Sequence, residues 1–337
     1  MNLTIRMAAA ALAATGASAA MAQTSITLYG RINTTVEYQK AGGVGTSGVY
    51  DNASRWGVRG TEDLGGGLKA GFVLESGFNS DTGTGGGPGA AAGGGLSFNR
   101  WSEVNLSSDR LGMLRMGAWV PDSYHVSADG LSLHNHDTGS SADKLYRDPI
   151  MYGELFIRNK VGYTSPSIGG WVVNAAMSMH ERANAYNQNG YDLSTYYRGG
   201  PLFAGAGFSR VGDDWQASLS TMYTFGQVTV GGYYQRNHQE SARLGWMTGN
   251  RNNFRLVGRY TLGASEFHAN VGHVTKWSDV KDSAATQWTL GYNYNLSKRT
   301  KVYAYYTRVN NGGGASYNVS KPGDNFSSVA MGIRHNF

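Results

Sequence analysis

The chain has 337 residues, among them 49 glycines and 21 tyrosines, with 6 prolines and no cysteine. Without cysteine it has no disulfide framework, thiolate metal site or cysteine nucleophile. The formal charge of +6 is modest and sits in a chain with an export pattern, which argues against nucleic acid as a partner.

Residues 1–22, MNLTIRMAAAALAATGASAAMA, combine one base, Arg6, with an apolar run from Met7 to Ala14 and a small-residue site at Ala20, Met21 and Ala22. That order predicts a secretory signal peptide cleaved before Gln23, leaving residues 23–337 as one domain. The apolar run is too short to cross roughly 30 Å of hydrocarbon as a helix, and no later stretch reaches about 18 apolar residues.

From Gln23 onward the dominant pattern has a period of two, which sends alternate side chains to opposite faces of a strand. Between Ser25 and Tyr38, Ile26, Leu28, Ile32, Val36 and Tyr38 alternate with Thr27, Tyr29, Arg31, Asn33 and Glu37. Later segments begin near Tyr50, Leu68, Phe98, Gly112, Ile157, Trp171, Asp192, Leu202, Trp215, Gln227, Asn253, Glu266, Gln287, Thr300 and Ser327. They number about sixteen, near the length of tilted membrane-spanning strands of roughly ten residues.

The connections alternate too. EDLGGG, SSDRLG, SPSIGG, RGGP, FG, LGAS and LSKR are tight, whereas the intervening ones are mostly long and polar, including a glycine-rich stretch from Asp81 to Gly95 and the longest from Gly117 to Glu154. Short turns on one side and long loops on the other fit an outer-membrane barrel better than a soluble sandwich. Tyr260, Trp277, Trp288, Tyr294, Tyr303 and Tyr306 sit near strand ends, as aromatic girdles require. The fold expected is therefore all-β: a 16-stranded antiparallel transmembrane β-barrel. The chain ends SSVAMGIRHNF, alternating to its last residue. A sheet in lipid must close, so this strand is expected to pair with the first, with Phe337 facing lipid at the interface.

By parity Arg31, Arg55, Arg59 and Lys69 share the polar, inward faces of their strands. Other motifs are thin. His134 and His136 lack a third metal ligand, the glycine-rich stretch lacks the residues of a phosphate loop, and there is no Gly-x-Ser-x-Gly elbow. No cofactor or metal is expected. A lipase-like site around His268 and Asn270 is the alternative from another class, and it needs a nucleophile within hydrogen-bond reach.

SRWGVRGTEDLGGGLKAGFVLESGF from Ser54 to Phe78 resembles the signature of Gram-negative trimeric general porins, as do ITLYGRIN, FNR at Phe98 to Arg100, RNKVGYTSP from Arg158 and the ending GIRHNF. The resemblance covers the whole mature chain. It implies a homotrimer in outer-membrane lipid that passes small hydrophilic solutes and ions without catalysis, with the third extracellular loop folded into the lumen as a charged constriction. It also implies basic pore-wall residues at Arg100 and Arg158, and a terminal Phe337 read by the barrel-assembly machinery. The loop acids are Asp122, Asp129, Asp137, Asp143, Asp148 and Glu154; Asp129 and Asp137, nearest the tip, are expected at the constriction. A basic wall facing acidic loop residues sets a transverse field, and the number of bases predicts a preference for anions. A substrate-selective channel would instead need an aromatic slide in the lumen, against which most tyrosines have outward parity. Two departures from the family pattern are Glu103, expected at the pore or a subunit interface, and Ala118, standing where an arginine is usual and so removing a wall charge that Arg115 offsets.

Overall fold

The computed structural model describes residues 24–86, 97–133, 139–152, 158–180, 188–240 and 245–337. The leader over 1–22, part of the glycine-rich stretch, and His134, His136, Asp137 and Glu154 lie outside the described residues.

Among the described residues there are eighteen strand segments: β1 (Ser25–Ala41), β2 (Val44–Asp51), β3 (Arg55–Gly65), β4 (Leu68–Phe78), β5 (Gly85–Gly86), β6 (Trp101–Ser108), β7 (Gly112–Ala118), β8 (Lys160–Thr164), β9 (Trp171–Ser178), β10 (Gly190–Gly199), β11 (Leu202–Val211), β12 (Asp214–Phe225), β13 (Val228–Gln239), β14 (Gly249–Leu262), β15 (Ser265–Val274), β16 (Ala285–Asn295), β17 (Thr300–Asn311) and β18 (Phe326–Asn336). All pairings are antiparallel. β1 pairs over Ser25–Arg31 with β3 and over Thr34–Ala41 with β2, so β2 and β3 form one stave, and β5 is a two-residue extension beside the end of β4. The wall therefore has sixteen staves.

The barrel closes between β18 and β1, from Arg31 opposite Asn336 to Ala41 opposite Phe326. The last residue belongs to this ladder: the Gly30 amide donates to the Phe337 carbonyl at 3.0 Å, and the Phe337 amide donates to the Gly30 carbonyl at 3.0 Å. Gly30 is required here. A Cβ on it would lie 2.3 Å from Cζ of the Phe337 ring and 2.7 Å from the Arg55 carbonyl oxygen. Ser25 at the start of β1, Phe337 and most of the tight turns lie at one end of the barrel, while the β1–β2 and β11–β12 turns and the longer connections lie at the other. In outer-membrane barrels the short-turn end is periplasmic.

Alternation sets the two environments. On β1, Ile26 is 68% exposed and Leu28 61%, whereas Arg31 is 3% exposed and Asn33 0%. This inside-out pattern repeats around the wall, and so continuous an apolar outer band is not tolerated in water. Tyr260, Trp288, Tyr294 and Tyr306 face outward near strand ends, as expected of girdle residues. Two assigned to the girdles do not: Tyr303 points into the lumen, and Trp277 is wholly buried in a loop cluster with Leu145, Met247, Val309, Tyr317 and Phe326. Trp277 follows the end of β15, where strand parity no longer governs direction. Tyr303 has inward parity outright, opposite Gly332 on β18.

Removing Phe337 deletes two ladder hydrogen bonds. At about 1 kcal/mol net per bond, the detergent-folded barrel is expected to lose about 2 kcal/mol of stability. A lower unfolding temperature, read as the gel-mobility shift of heated samples, checks this.

Candidate functional site: the lumen and its inner loop

After β7 the chain leaves the wall. Pro121 is followed by one helical turn, α1 (Asp122–Tyr124), and a π-helical turn over His125–Asp129. Two glycines on the inward face of β11 make room for it: a Cβ on Gly207 would lie 2.8 Å from the Ser123 side chain, and one on Gly205 2.6 Å from the Val126 carbonyl oxygen. The Asp192 carboxylate on β10 accepts the amides of Asp122 at 2.6 Å and Ser123 at 3.2 Å, satisfying donors that a helix start leaves open.

The loop then runs along the inner wall, and the inward polar residues of successive strands hold it. Asp148, fully buried, accepts from Ser209 at 2.7 Å, from Gln216 and Ser123 at 3.3 Å each, and from the amides of Ile150 and Met151. Gln235 donates to the Arg147 carbonyl at 2.7 Å, and Gln287 to that of Ala142 at 2.8 Å. Arg255 forms a 2.7 Å ion pair with Asp143, which the Tyr233 hydroxyl also reaches. Burial works against ionisation of Asp143; the Arg255 charge and these hydrogen bonds outweigh it and hold the carboxyl below its usual range. On the far side Ser140 donates at 2.7 Å to Glu37 of β1, which also accepts from Thr35, Gln39, Tyr305 and Ser328. The loop thus lies inside the barrel, fastened from β10 round to β1.

The wall on β1, β3 and β4 carries the bases; Arg59 is exposed and Arg55 partly so, whereas Arg31 is buried. Arg31 and Arg55 are direct cross-strand partners, and Arg59 stands opposite Thr27 on the same face, its guanidinium 5.3 Å from the Tyr29 ring centroid. Like charges directly opposite each other destabilise a sheet. Glu75 offsets this: it lies 2.8 Å from Arg100 and 3.7 Å from Arg55. Lys69 sits apart near the short-turn mouth, 3.9 Å from Asp109. Arg158 lies exposed ahead of β8; the inward position falls to Lys160, buried and donating to the Trp119 carbonyl at 3.1 Å.

Glu103 faces the lumen and pairs with Arg115 at 2.9 Å; Arg115 also reaches Asp122 at 3.2 Å and packs 4.2 Å from the Trp119 ring centroid. Arg115 is thereby neutralised. Ala118 pairs with Ser102 and shares the outward parity of Leu114 and Met116, so it empties no wall position. Sequence reasoning passed over Glu75, although it has the parity of Lys69 in the same strand. It also passed over Lys301 and Arg334, cross-strand partners on the inner face, with Arg334 in turn opposite Asn33. Loop anchors such as Asp192 and Asp148 left no local signal, because their partners lie tens of residues away.

Of the two loop acids expected at the constriction, Asp129 is described. Its carboxylate binds His125 Nδ1 at 2.8 Å, and His125 stacks on Trp101 with centroids 6.3 Å apart. Burial would push the Asp129 carboxyl up; the hydrogen bond and charge of His125 hold it below its usual range, with Arg55 and Arg31 pulling the same way. Burial would likewise lower His125, but the Asp129 hydrogen bond and charge raise it above its ordinary value.

A closed sixteen-stave barrel with an apolar outside, a charged inside and a loop folded across its lumen defines an outer-membrane channel protein. The comparisons agree. The Gram-negative porin family model matches residues 8–314, and the chain belongs to that family. Outer membrane porin protein 32 of Delftia acidovorans is 33% identical over 98% of this chain and 99% of its own length. An outer membrane porin protein of Bordetella pertussis is 30% identical over 98% of each. The solved structure of an anion-selective porin from Comamonas acidovorans superposes with a TM-score of 0.78 at 28% identity, covering 94% of this chain and all of that one.

Asp148→Ala strands several buried donors at a cost of about 1–3 kcal/mol. The expected result is a loosened inner loop in an intact barrel: faster protease cleavage between residues 119 and 152, and larger open-channel noise in planar bilayers.

Proposed function

We propose that this porin passes small hydrophilic solutes and ions down their gradients with a preference for anions. The reading rests on one observation: Arg31, Arg55 and Arg59 stand on adjacent strands of the inner wall, Arg31 directly opposite Arg55 and Arg59 opposite Thr27. Charges of one sign focused in a narrow aqueous passage raise the local concentration of the opposite ion. The anion selectivity stated for the Comamonas acidovorans porin supports the same sign. Glu75 moderates it. Lys301 and Arg334 extend the basic row.

The chain works on this reading as a homotrimer, exported by residues 1–22 and delivered by the barrel-assembly machinery through Phe337; these parts rest on the family relationship. It needs no covalent chemistry. The lipase alternative is disfavoured because His268 faces the lumen, bonded to Glu266 and Asn293, on the opposite side of the wall from lipid. The size of the detergent-extracted complex tests the trimer.

A unit charge about 4 Å from a passing ion is worth about 1 kcal/mol in water, a factor of about five. The variant Arg31→Ala/Arg55→Ala is therefore expected to lower the anion-to-cation permeability ratio several-fold, and Glu75→Gln to raise it, by reversal potential in a KCl gradient. The preference should fade in about 1 M salt, where the Debye length is about 3 Å. An unchanged ratio in the double variant refutes the proposed role of these arginines.

The His125–Asp129 pair adds a pH dependence. His125 is raised in the folded protein, so its stabilising charge is fully present below the ordinary histidine value of about 6.5 and is lost as pH rises through the raised value. Above that window Asp129 keeps an uncompensated charge. Anion preference is expected to fall over that window in the natural protein and to stay flat there in His125→Gln.

A further inference from the structure

Under the inner loop, toward the short-turn end, the lumen wall opens into a cavity of about 440 Å³, within the range of small-molecule sites. His125 and Val126 of the loop roof it, and β4 and β6 to β11 supply its sides. Its lining has two unlike parts. One is aromatic and apolar: Trp101 on β6 stacks on His125, with centroids 6.3 Å apart and planes 27° from parallel, and Val73, Met113 and Val126 add further apolar surface. The other is cationic. Beside the turn after β10, the Arg198 guanidinium lies 5.6 Å from the Tyr196 ring centroid and 5.4 Å from that of Phe203.

The cavity wall holds two carboxylates, and both are engaged. Glu103 accepts from Trp101 at 2.9 Å, Asn105 at 2.8 Å and Arg115 at 2.9 Å, while Asp122 accepts from Arg115 and from Trp119 at 3.2 Å each. Arg115 is spent on them. Arg198 is the cation left over: it is exposed, and among the described residues its guanidinium forms no ion pair and no side-chain hydrogen bond. Two rings support it, and its N–H groups remain unused.

We propose that this cavity is a resting site for small aromatic carboxylates crossing the pore, with the carboxylate on Arg198 and the ring on the apolar lining to which Trp101 and Met113 contribute. The inference rests on the reading of the lumen as an anion path and names one class of solute that the path retains. A guanidinium fork matches a carboxylate in two hydrogen bonds, and indole and thioether surfaces favour a ring over an aliphatic chain. An inorganic anion would use Arg198 and leave the apolar part unmatched. An aliphatic acid would enter without the ring contacts.

The test uses the full-length protein in planar bilayers at fixed KCl, with benzoate, cyclohexanecarboxylate or acetate added on both sides, and reads an apparent dissociation constant from the block of single-channel current. Benzoate is expected to bind about tenfold tighter than acetate and several-fold tighter than cyclohexanecarboxylate, which has the charge and nearly the size of benzoate without its aromatic face. Arg198→Ala is expected to weaken all three acids, and Arg198→Lys to recover part of the loss. Trp101→Leu is expected to bring benzoate to the cyclohexanecarboxylate level while acetate stays in place. Met113→Leu, which conserves volume, does the same by a smaller factor and covers the case of a Trp101 variant that does not fold. Equal constants for benzoate and acetate in the natural protein overturn the proposal, as does an unchanged benzoate constant in Arg198→Ala. Reversal potential in a KCl gradient on the same membranes separates the two readings. A tenfold benzoate ratio without chloride preference overturns the pore's selectivity and leaves the cavity, whereas chloride preference without that ratio overturns the cavity alone.

Discussion

Hydrocarbon offers no partner to a peptide group, and everything else in this molecule follows from that. Each strand must find its hydrogen bonds in a neighbour, so the sheet has to return to its own first strand. The closing ladder from Arg31–Asn336 to Ala41–Phe326 completes the circuit, and the main-chain pair between Gly30 and Phe337 extends it to the last residue. Closure divides space into a lipid side and a water side, and the two-residue period of each strand assigns every side chain to one of them.

That assignment is why so much of the wall is legible in the sequence. Counting alone puts Arg31, Arg55 and Arg59 on one face, where the register pairs Arg31 with Arg55 and Arg59 with Thr27, and the same count carried four residues past Gly71 reaches Glu75. Legibility stops where parity stops. Arg158 belongs to a basic motif but precedes its strand, so the inward position passes to Lys160. Trp277 lies beyond β15, and only the folded loops reveal its burial. The path of the inner loop is invisible locally, because it is written in pairs such as Asp122 with Asp192, or Ser140 with Glu37, separated by 70 and 103 positions.

The polar face of the wall therefore does two jobs. From β10 to β17, serines, glutamines and asparagines that look merely solvated hold the loop's carbonyls and amides, meeting the need that buried main-chain groups be paired. On β1, β3 and β4 the same parity positions hold Arg31, Arg55, Arg59, Lys69 and Glu75; of these Arg55, Arg59 and Lys69 are reached by water, while Arg31 and Glu75 are buried. A like-charged pair such as Arg31 and Arg55 is a poor choice for sheet stability, and its presence beside Glu75 fits a wall shaped by what passes through rather than by cohesion.

The fastening of the loop at both Asp192 and Glu37 has a mechanical side. These carboxylates stand on β10 and β1, far apart around the circumference, and hold the loop at Asp122–Ser123 on one side and at Ser140 on the other. Displacing the loop from the lumen therefore means breaking hydrogen bonds on opposite sides of the wall.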